Sequence, residues 1–250
     1  MRAKKETFAS FIFKKIPSLT SVMHDIEKID FCDEISMLGK LFSYMFESAQ
    51  STNSYLNMII AYTFYNCIFK TIEVKRAFIT LFNEGILTPA FSLNRSVFEL
   101  WAAICFIEKA LKDFLISRDD EKFNKVAIRL FSGSRYPVEL PWGEPSTEKP
   151  IHINDMLEEL EKRNPGAKNT YSFLCEYCHP NFLYNTYALM ASIVELGIWS
   201  NPRFFKEIKV ALEKQLSSLE QALSGIKASS KLILDLCLEE YGINFPQKNC

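Results

Sequence analysis

The stretch from Thr88 to about Lys112 constrains this chain more than any other, because it is apolar around almost its whole circumference. Phe91, Leu93, Val97, Phe98, Leu100, Trp101, Ile104 and Phe106 fall on every side of a helical wheel. A helix of that kind has no face to give to water and belongs in the middle of a protein. Thr88 and Pro89 supply its start, as N-cap and first helical residue. Gly85 stands just upstream, where the preceding helix needs a left-handed residue in order to stop. Two charges, Arg95 and Glu99, lie in mid-run. They are expected to be shielded from solvent and therefore paired, since a buried charge without a partner shifts its protonation state.

The rest of the chain supplies helices to surround this one. Ile35, Leu38, Leu41, Phe42, Met45 and Phe46 recur at helical spacing between Asp33 and Gln50. A second pattern runs from Ser51 to Glu84 without Pro or Gly. Further helices are expected over Asp120 to Phe131 and from Asn154, as N-cap, to Arg163. After the Asn164-Pro165-Gly166 turn, Asn169 or Thr170 caps a short helix that Pro180 ends. Residues 181–198 are apolar and of no assignable type. From Arg203 to Tyr241, the residues Phe205, Ile208, Leu212, Leu216, Leu219, Leu223 and Ile226 step by three or four, a coiled-coil-like seam. Ser224-Gly225 is a place for that helix to bend. The seam packs either on the chain's own bundle or on a second copy, which makes residues 203–242 the expected route to a homo-oligomer.

The expected architecture is all-α: a multi-helix bundle with a long central buried helix and a long C-terminal helix, in one domain over 1–250. Its parts are an N-terminal arm (1–30), a first helical half (31–131), a Pro-rich loop (132–152), a region around His179-Pro180-Asn181 (153–200) and the C-terminal helix (203–242). The loop holds prolines 137, 141, 145 and 150, four of the ten in the chain. A long loop in a compact protein is a lid, a binding loop or an insertion. Trp142 within it reads as a lid anchor or an ordinary packing residue.

Composition removes several function classes. With 48% hydrophobic residues in 250, the chain can bury a sizeable core. A net charge of -1 provides no global field for nucleic acid or an anionic membrane, so such contacts need a local patch. Eight glycines leave little for phosphate-cradling loops, and neither G-x-x-x-x-G-K nor G-x-G-x-x-G occurs. There is no G-x-S-x-G either. Seven scattered cysteines read as small buried hydrophobes in a reducing compartment. The basic start is followed by too short an apolar run, interrupted by Lys14-Lys15, to be an export signal. Ser51 to Phe69 carries no charge but includes Asn53, Asn57, Thr63 and Asn66, which fits a buried helix rather than a membrane span. The expected location is the cytoplasm, with no membrane span.

Two clusters carry candidate chemistry. Arg95 and Glu99 are four apart on one helix face, shared with Ser92, Ala102 and Ala103, whose small size leaves room for another group. Tyr171, Cys175 and His179 are spaced by four, and Asn181 follows Pro180. A helix carboxyl end favours protonated imidazole, which suits acid–base work or phosphate binding at His179. Residues 175–179 also spell C-x-x-C-H, the c-type haem attachment pattern. That attachment requires export, and no second axial ligand is evident. A zinc site on Cys175, Cys178 and His179 lacks a nearby fourth ligand, since His24 and His152 are distant in sequence. No metal and no cofactor are expected.

The stretch N-E-G-I-L-T-P-A-F-S-L-N-R-S-V-F-E-L-W resembles a family of bacterial all-helical proteins with an R-S-x-[FL]-E pattern. That family has a downstream Y-x-x-L-[CS]-x-x-x-H-P-N stretch, matched here by Tyr171, Leu174, Cys175, His179, Pro180 and Asn181. The two motifs span residues 83 to 181. The resemblance implies that Arg95, Glu99 and His179 meet in space. The layout also distantly resembles the HEPN superfamily, whose members include metal-independent ribonucleases of toxin and phage-defence systems that use an arginine and a histidine. In those proteins the two residues lie a few positions apart on one helix, whereas here they fall on different helices.

Two readings follow. In the first, the chain cleaves RNA or a nucleotide: Arg95 holds a phosphate, His179 is general acid or base, Glu99 orients one of them, and Tyr171, Asn181 and Ser92 support them or touch substrate. In the second, the chain is a non-catalytic interaction or sensor protein, and Arg95, Glu99 and His179 form a structural network.

Overall fold

The computed structural model describes residues 7–47, 54–132, 138–139, 145–146, 149–178 and 198–242. The architecture is all-α, a multi-helix bundle with the expected long apolar helix and long C-terminal helix. The helices are α1 (Phe8–Lys15), α2 (Ser18–Lys28), α3 (Cys32–Glu47), α4 (Ser54–Tyr62), α5 (Lys70–Asn83), α6 (Leu87–Ser117), α7 (Asp120–Ser132), α8 (Ile153–Arg163), α9 (Ala167–Cys178) and α10 (Pro202–Glu240). A π-helical turn, Thr63–Phe69, joins α4 to α5, and a short 3₁₀ turn, Ile198–Ser200, precedes α10. In the Pro-rich stretch, Val138–Glu139 pairs antiparallel with Pro145–Ser146. Trp142 lies outside the described residues.

Several local expectations are corrected. The single helix expected over Ser51 to Glu84 is interrupted by the π-turn. There the Lys70 N–H reaches the Tyr65 carbonyl, five residues back. Five-residue closure puts Phe64 and Phe69 on one side, and their rings meet edge-on with centroids 4.6 Å apart. Helix α6 begins at Leu87, so Thr88 and Pro89 lie inside its first turn, where Pro still costs no hydrogen bond. It also runs beyond Lys112 to Ser117. Helix α8 begins one residue before Asn154, and its cap is His152, whose Nδ1 accepts the Asn154 N–H at 3.2 Å. Asn169 and Thr170 are within α9 rather than at its cap. Ser224-Gly225 causes no break in α10.

Gly85 does what its position predicts. It has φ +77°, its N–H bonds the Phe82 carbonyl, and the Ile86 N–H bonds the Leu81 carbonyl, a Schellman stop for α5. A Cβ at Gly85 would stand 3.1 Å from the Phe8 side chain.

The chain divides into two compact units. The first comprises Met1–Asp30, Thr71–Trp101 and Asn164–Gly225. Its core includes Phe8, Ile12, Phe78, Phe82, Phe91 and Phe98 with Leu212, Leu216 and Leu219 of α10. Lys75 Nζ caps the end of α2 by donating to the Glu27 and Ile29 carbonyls. The second unit comprises Phe31–Lys70, Ala102–Arg163 and Ile226–Cys250. There α4 packs against α7, and Phe114 stacks on Phe123 with centroids 4.3 Å apart. Both α6 and α10 contribute their first part to one unit and their last part to the other.

Helix α6 is the one element among the described residues long and apolar enough to cross a membrane, with mean hydropathy 1.3 over its most apolar window. Since 67% of that window is buried inside the protein, its apolar surface is used in the core. The α10 seam is likewise consumed within the chain: Ile208, Leu212, Leu216, Leu219, Leu223 and Ile226 are all buried.

Candidate functional site

Arg95 and Glu99 stand one turn apart on α6, with Arg95 Nε 2.9 Å from Glu99 Oε1. Helix α9 brings a third group to them. The Tyr171 hydroxyl donates to the same Glu99 oxygen at 2.8 Å and accepts from Arg95 Nη2 at 3.1 Å. The guanidinium carbon also lies 5.4 Å from the Tyr171 ring centroid, within cation–π range. The three side chains close a triangle that ties α6 to α9 inside the first unit. Sequence reasoning placed Tyr171 in a supporting position; it is an integral member of the triangle.

The expected shielding of the pair is corrected. Arg95 and Glu99 side chains retain 30% and 35% exposure. Buried Asn94, Val97, Phe98 and Trp101 take the core side of α6. Ser92, Leu93, Arg95, Ser96 and Glu99 form a half-exposed strip beside it. An apolar wheel reports what a helix could bury, not which arc a neighbour covers.

Partial burial by itself works against the guanidinium charge, but Tyr171 and Glu99 outweigh it and raise the Arg95 pKa above its ordinary value. Burial, together with the carboxylate that accepts its proton, raises the Tyr171 pKa against the lowering effect of Arg95. The triangle therefore holds a permanent cation and a neutral phenol. The Cys175 thiol, nearby on α9, is also raised, mainly by burial and in spite of Arg95.

Of the remaining candidates, the Ser92 hydroxyl turns back on the Thr88 carbonyl at 3.2 Å and makes no bond to Arg95. His179 and Asn181 lie outside the described residues, and α9 ends at Cys178. Cys178 Sγ donates to the Leu174 carbonyl at 3.5 Å. Among the described residues, no group of three or more His, Cys, Asp or Glu is placed to hold a metal ion.

Two polar networks escaped the sequence reading. In the first unit, Asn94 Nδ2 donates to the Gln215 carbonyl and Gln215 Oε1, both at 2.7 Å, and to Ser218 Oγ at 3.0 Å. In the second, the Glu108 carboxylate is 5% exposed and is held by Lys112 at 2.8 Å and by Arg163. Arg163 also reaches the Cys105 carbonyl at 3.1 Å. The Glu108–Lys112 spacing of four was a readable signal; nothing in the sequence announces Arg163 or Gln215 as partners.

Comparison of the chain with known protein families, with curated proteins and with solved structures found no match.

Proposed function

We propose that this chain is a cytoplasmic effector of a bacterial toxin or phage-defence system that acts on RNA or a nucleotide, with Arg95 holding a phosphate. The observation that carries this reading is how Arg95 is held. Glu99 takes its Nε, Tyr171 takes Nη2, and Nη1 has no protein acceptor among the described residues. A guanidinium oriented on one edge, permanently charged and open on the other suits planar recognition of phosphate. Glu99 and Tyr171 are then positioning residues. The resemblance to HEPN-like proteins supplies His179 as general acid or base, with Asn181 and Ser92 supporting it or touching substrate.

The test is expression of the parent, Arg95→Ala and His179→Ala proteins, scored by growth arrest and by cleavage of total RNA. Both variants are expected to lose both effects. If they arrest growth and cut RNA as well as the parent does, the reading is wrong.

The same triangle favours a second reading, a non-catalytic interaction or sensor protein, because it joins two helices with Tyr171 as both donor and acceptor. In that case Arg95→Ala lowers the melting temperature while the parent shows no nuclease activity. Since the seam of α10 is used within the chain, a homo-oligomer through 203–242 would use the face carrying Lys206, Val210 and Lys214, which is exposed.

A further inference from the structure

On the face of α9 turned away from Arg95, a cleft opens between α9 and α10 within the first unit. A helix turns about 100° per residue, so Asn169, Thr170 and Phe173 share one arc of α9 while Tyr171 and Cys175 share the opposite one. The cleft holds about 460 Å³ and is lined by Asn169, Thr170 and Phe173 from α9 and by Glu213, Lys214, Ser217, Ser218 and Gln221 from α10. That volume lies within the range of small-molecule sites, roughly 300–1,000 Å³.

Its polar groups are unevenly engaged. Glu213 Oε1 already accepts from Ser18 Oγ at 3.2 Å and has Lys209 Nζ 3.8 Å away. Gln221 donates to Asn164 at 3.1 Å. By contrast, the side chains of Asn169, Thr170 and Ser217 make no hydrogen bond among the described residues. Lys214 has no acceptor there either: its ammonium rests over the Phe173 ring, 5.1 Å from the centroid. The one cation of the cleft without an ion-pair partner among the described residues is thus parked on an aromatic face, flanked by unengaged hydroxyl and amide groups.

The floor is polar as well. Ser218 is 5% exposed, and its hydroxyl accepts from Asn94 Nδ2. Because Nδ2 must also serve the Gln215 backbone carbonyl, the Asn94 amide is fixed with its nitrogen inward. Asn94 Oδ1 and Gln215 Nε2, both fully buried, are left without partners. Buried amide groups are rarely left unmatched. Neither Asn94 nor Gln215 lines the cleft, however, so this pair belongs to the packing behind Ser218 and not to the surface a ligand would meet.

We propose that this cleft binds a mononucleotide. The phosphate takes Lys214 Nζ with the Ser217 and Thr170 hydroxyls. Drawn to the phosphate, the ammonium exchanges a weak cation–π contact for a charge-assisted hydrogen bond. Its departure uncovers the Phe173 ring, on which a base stacks without regard to sequence. Asn169 meets the base edge. A bare anion would leave most of the volume and the ring unused, and a nucleoside would leave Lys214 unanswered. The site stands independently of the role given to Arg95, which lies across α9.

The experiment is isothermal titration of the full chain with AMP, GMP, CMP and UMP, with the matching nucleosides and inorganic phosphate as comparators. At least one mononucleotide is expected to bind with micromolar affinity. Its nucleoside and free phosphate should bind at least tenfold more weakly. Lys214→Glu, at an exposed position, and Phe173→Ala should each weaken binding at least tenfold, with circular dichroism confirming that both variants fold. Arg95→Ala should bind within twofold of the parent. No binding by any mononucleotide overturns the proposal, and so does binding that survives Lys214→Glu. Binding lost in Arg95→Ala but kept in Lys214→Glu also overturns it, and would place the nucleotide at Arg95 instead.

Discussion

Trp101 and Gly225 touch so closely that position 225 has no room for a methyl group: a Cβ there would stand 2.2 Å from indole Nε1. Replacing a mid-helix glycine by alanine ordinarily stabilises by about 1 kcal/mol. Here overpacking, typically ~1–3 kcal/mol, outweighs that gain. Gly225→Ala is therefore expected to lower the urea midpoint, and adding Trp101→Phe should restore part of the loss. An increase in stability on Gly225→Ala alone would sink the assignment of this glycine to close packing.

The Glu108 carboxylate should set an acid limit on stability. Burial by itself would raise its pKa, but hydrogen bonds from Lys112, Arg163 and Ser229 outweigh burial and hold it below the ordinary carboxylate range. A depressed folded pKa contributes stability that is fully present above the unfolded value, about 4.3, and fades as pH falls through the folded value. The urea midpoint should fall below about pH 5. Glu108→Gln should cost about 2 kcal/mol at pH 7, less than the ~3–5 of a fully enclosed pair, because Arg163 and Lys112 can turn to water. It should also flatten this part of the pH profile. An unchanged profile in the variant would remove Glu108 from the account.

Tyr171→Phe keeps the ring against Phe98 and removes only the hydroxyl that bridges Glu99 and Arg95. The fold should survive with a loss of about 1–3 kcal/mol, since two hydrogen bonds to charged groups are removed at a site that solvent partly screens. Under the RNA-cleaving reading, activity should fall by up to about a hundredfold, the order of loss a misplaced binding group causes. Arg95→Lys should be worse, because an ammonium cannot serve Glu99, Tyr171 and a phosphate in one plane. Equal cleavage rates in parent and both variants would count against any catalytic use of the triangle.

How much of this was legible beforehand depends on what each feature rests on. Helix α6, the seam of α10 and the stop at Gly85 were readable because periodicity and a left-handed glycine are local properties. The π-turn was not, because aromatic and apolar residues at 63–69 satisfy α-helical spacing equally well. Nothing in the sequence marks His152 as a cap, because Asn, Asp, Ser and Thr are the side chains that favour that position and Asn154 stands two residues on. The four-residue step from Arg95 to Glu99 was visible, but their half-exposure and the tie to Tyr171 are decided by which arc of α6 its neighbours cover. Gly225 looked like a bend; its reason is an indole more than a hundred positions away in sequence.

The thiols offer a map of the interior. Burial, with Cys105 as a neighbour, pushes the Cys67 thiol up to about 12. Burial and then Glu240 push Cys237 up to about 12. Cys105 is pushed up to about 11, mainly by burial and against the pull of Arg163. In a Cys250→Ser background at pH 8, a disulfide reagent should modify exposed Cys32 first and half-buried Cys175 and Cys178 more slowly. Cys67, Cys105 and Cys237 should react only at the rate of unfolding. Rapid native modification of these three would contradict the packing around them.

Each compact unit is assembled from three separated stretches of chain, and the last stretch of one unit ends where the last stretch of the other begins, at Gly225 and Ile226. Synthesis proceeds from the amino end, and domains generally fold in the order they emerge. This chain gives that order nothing to work on, since after 163 residues neither unit yet has its closing segment. An early stop or an internal cut would thus leave apolar fragments rather than a smaller working protein. The newborn chain should depend on holdase chaperones until α10 has emerged.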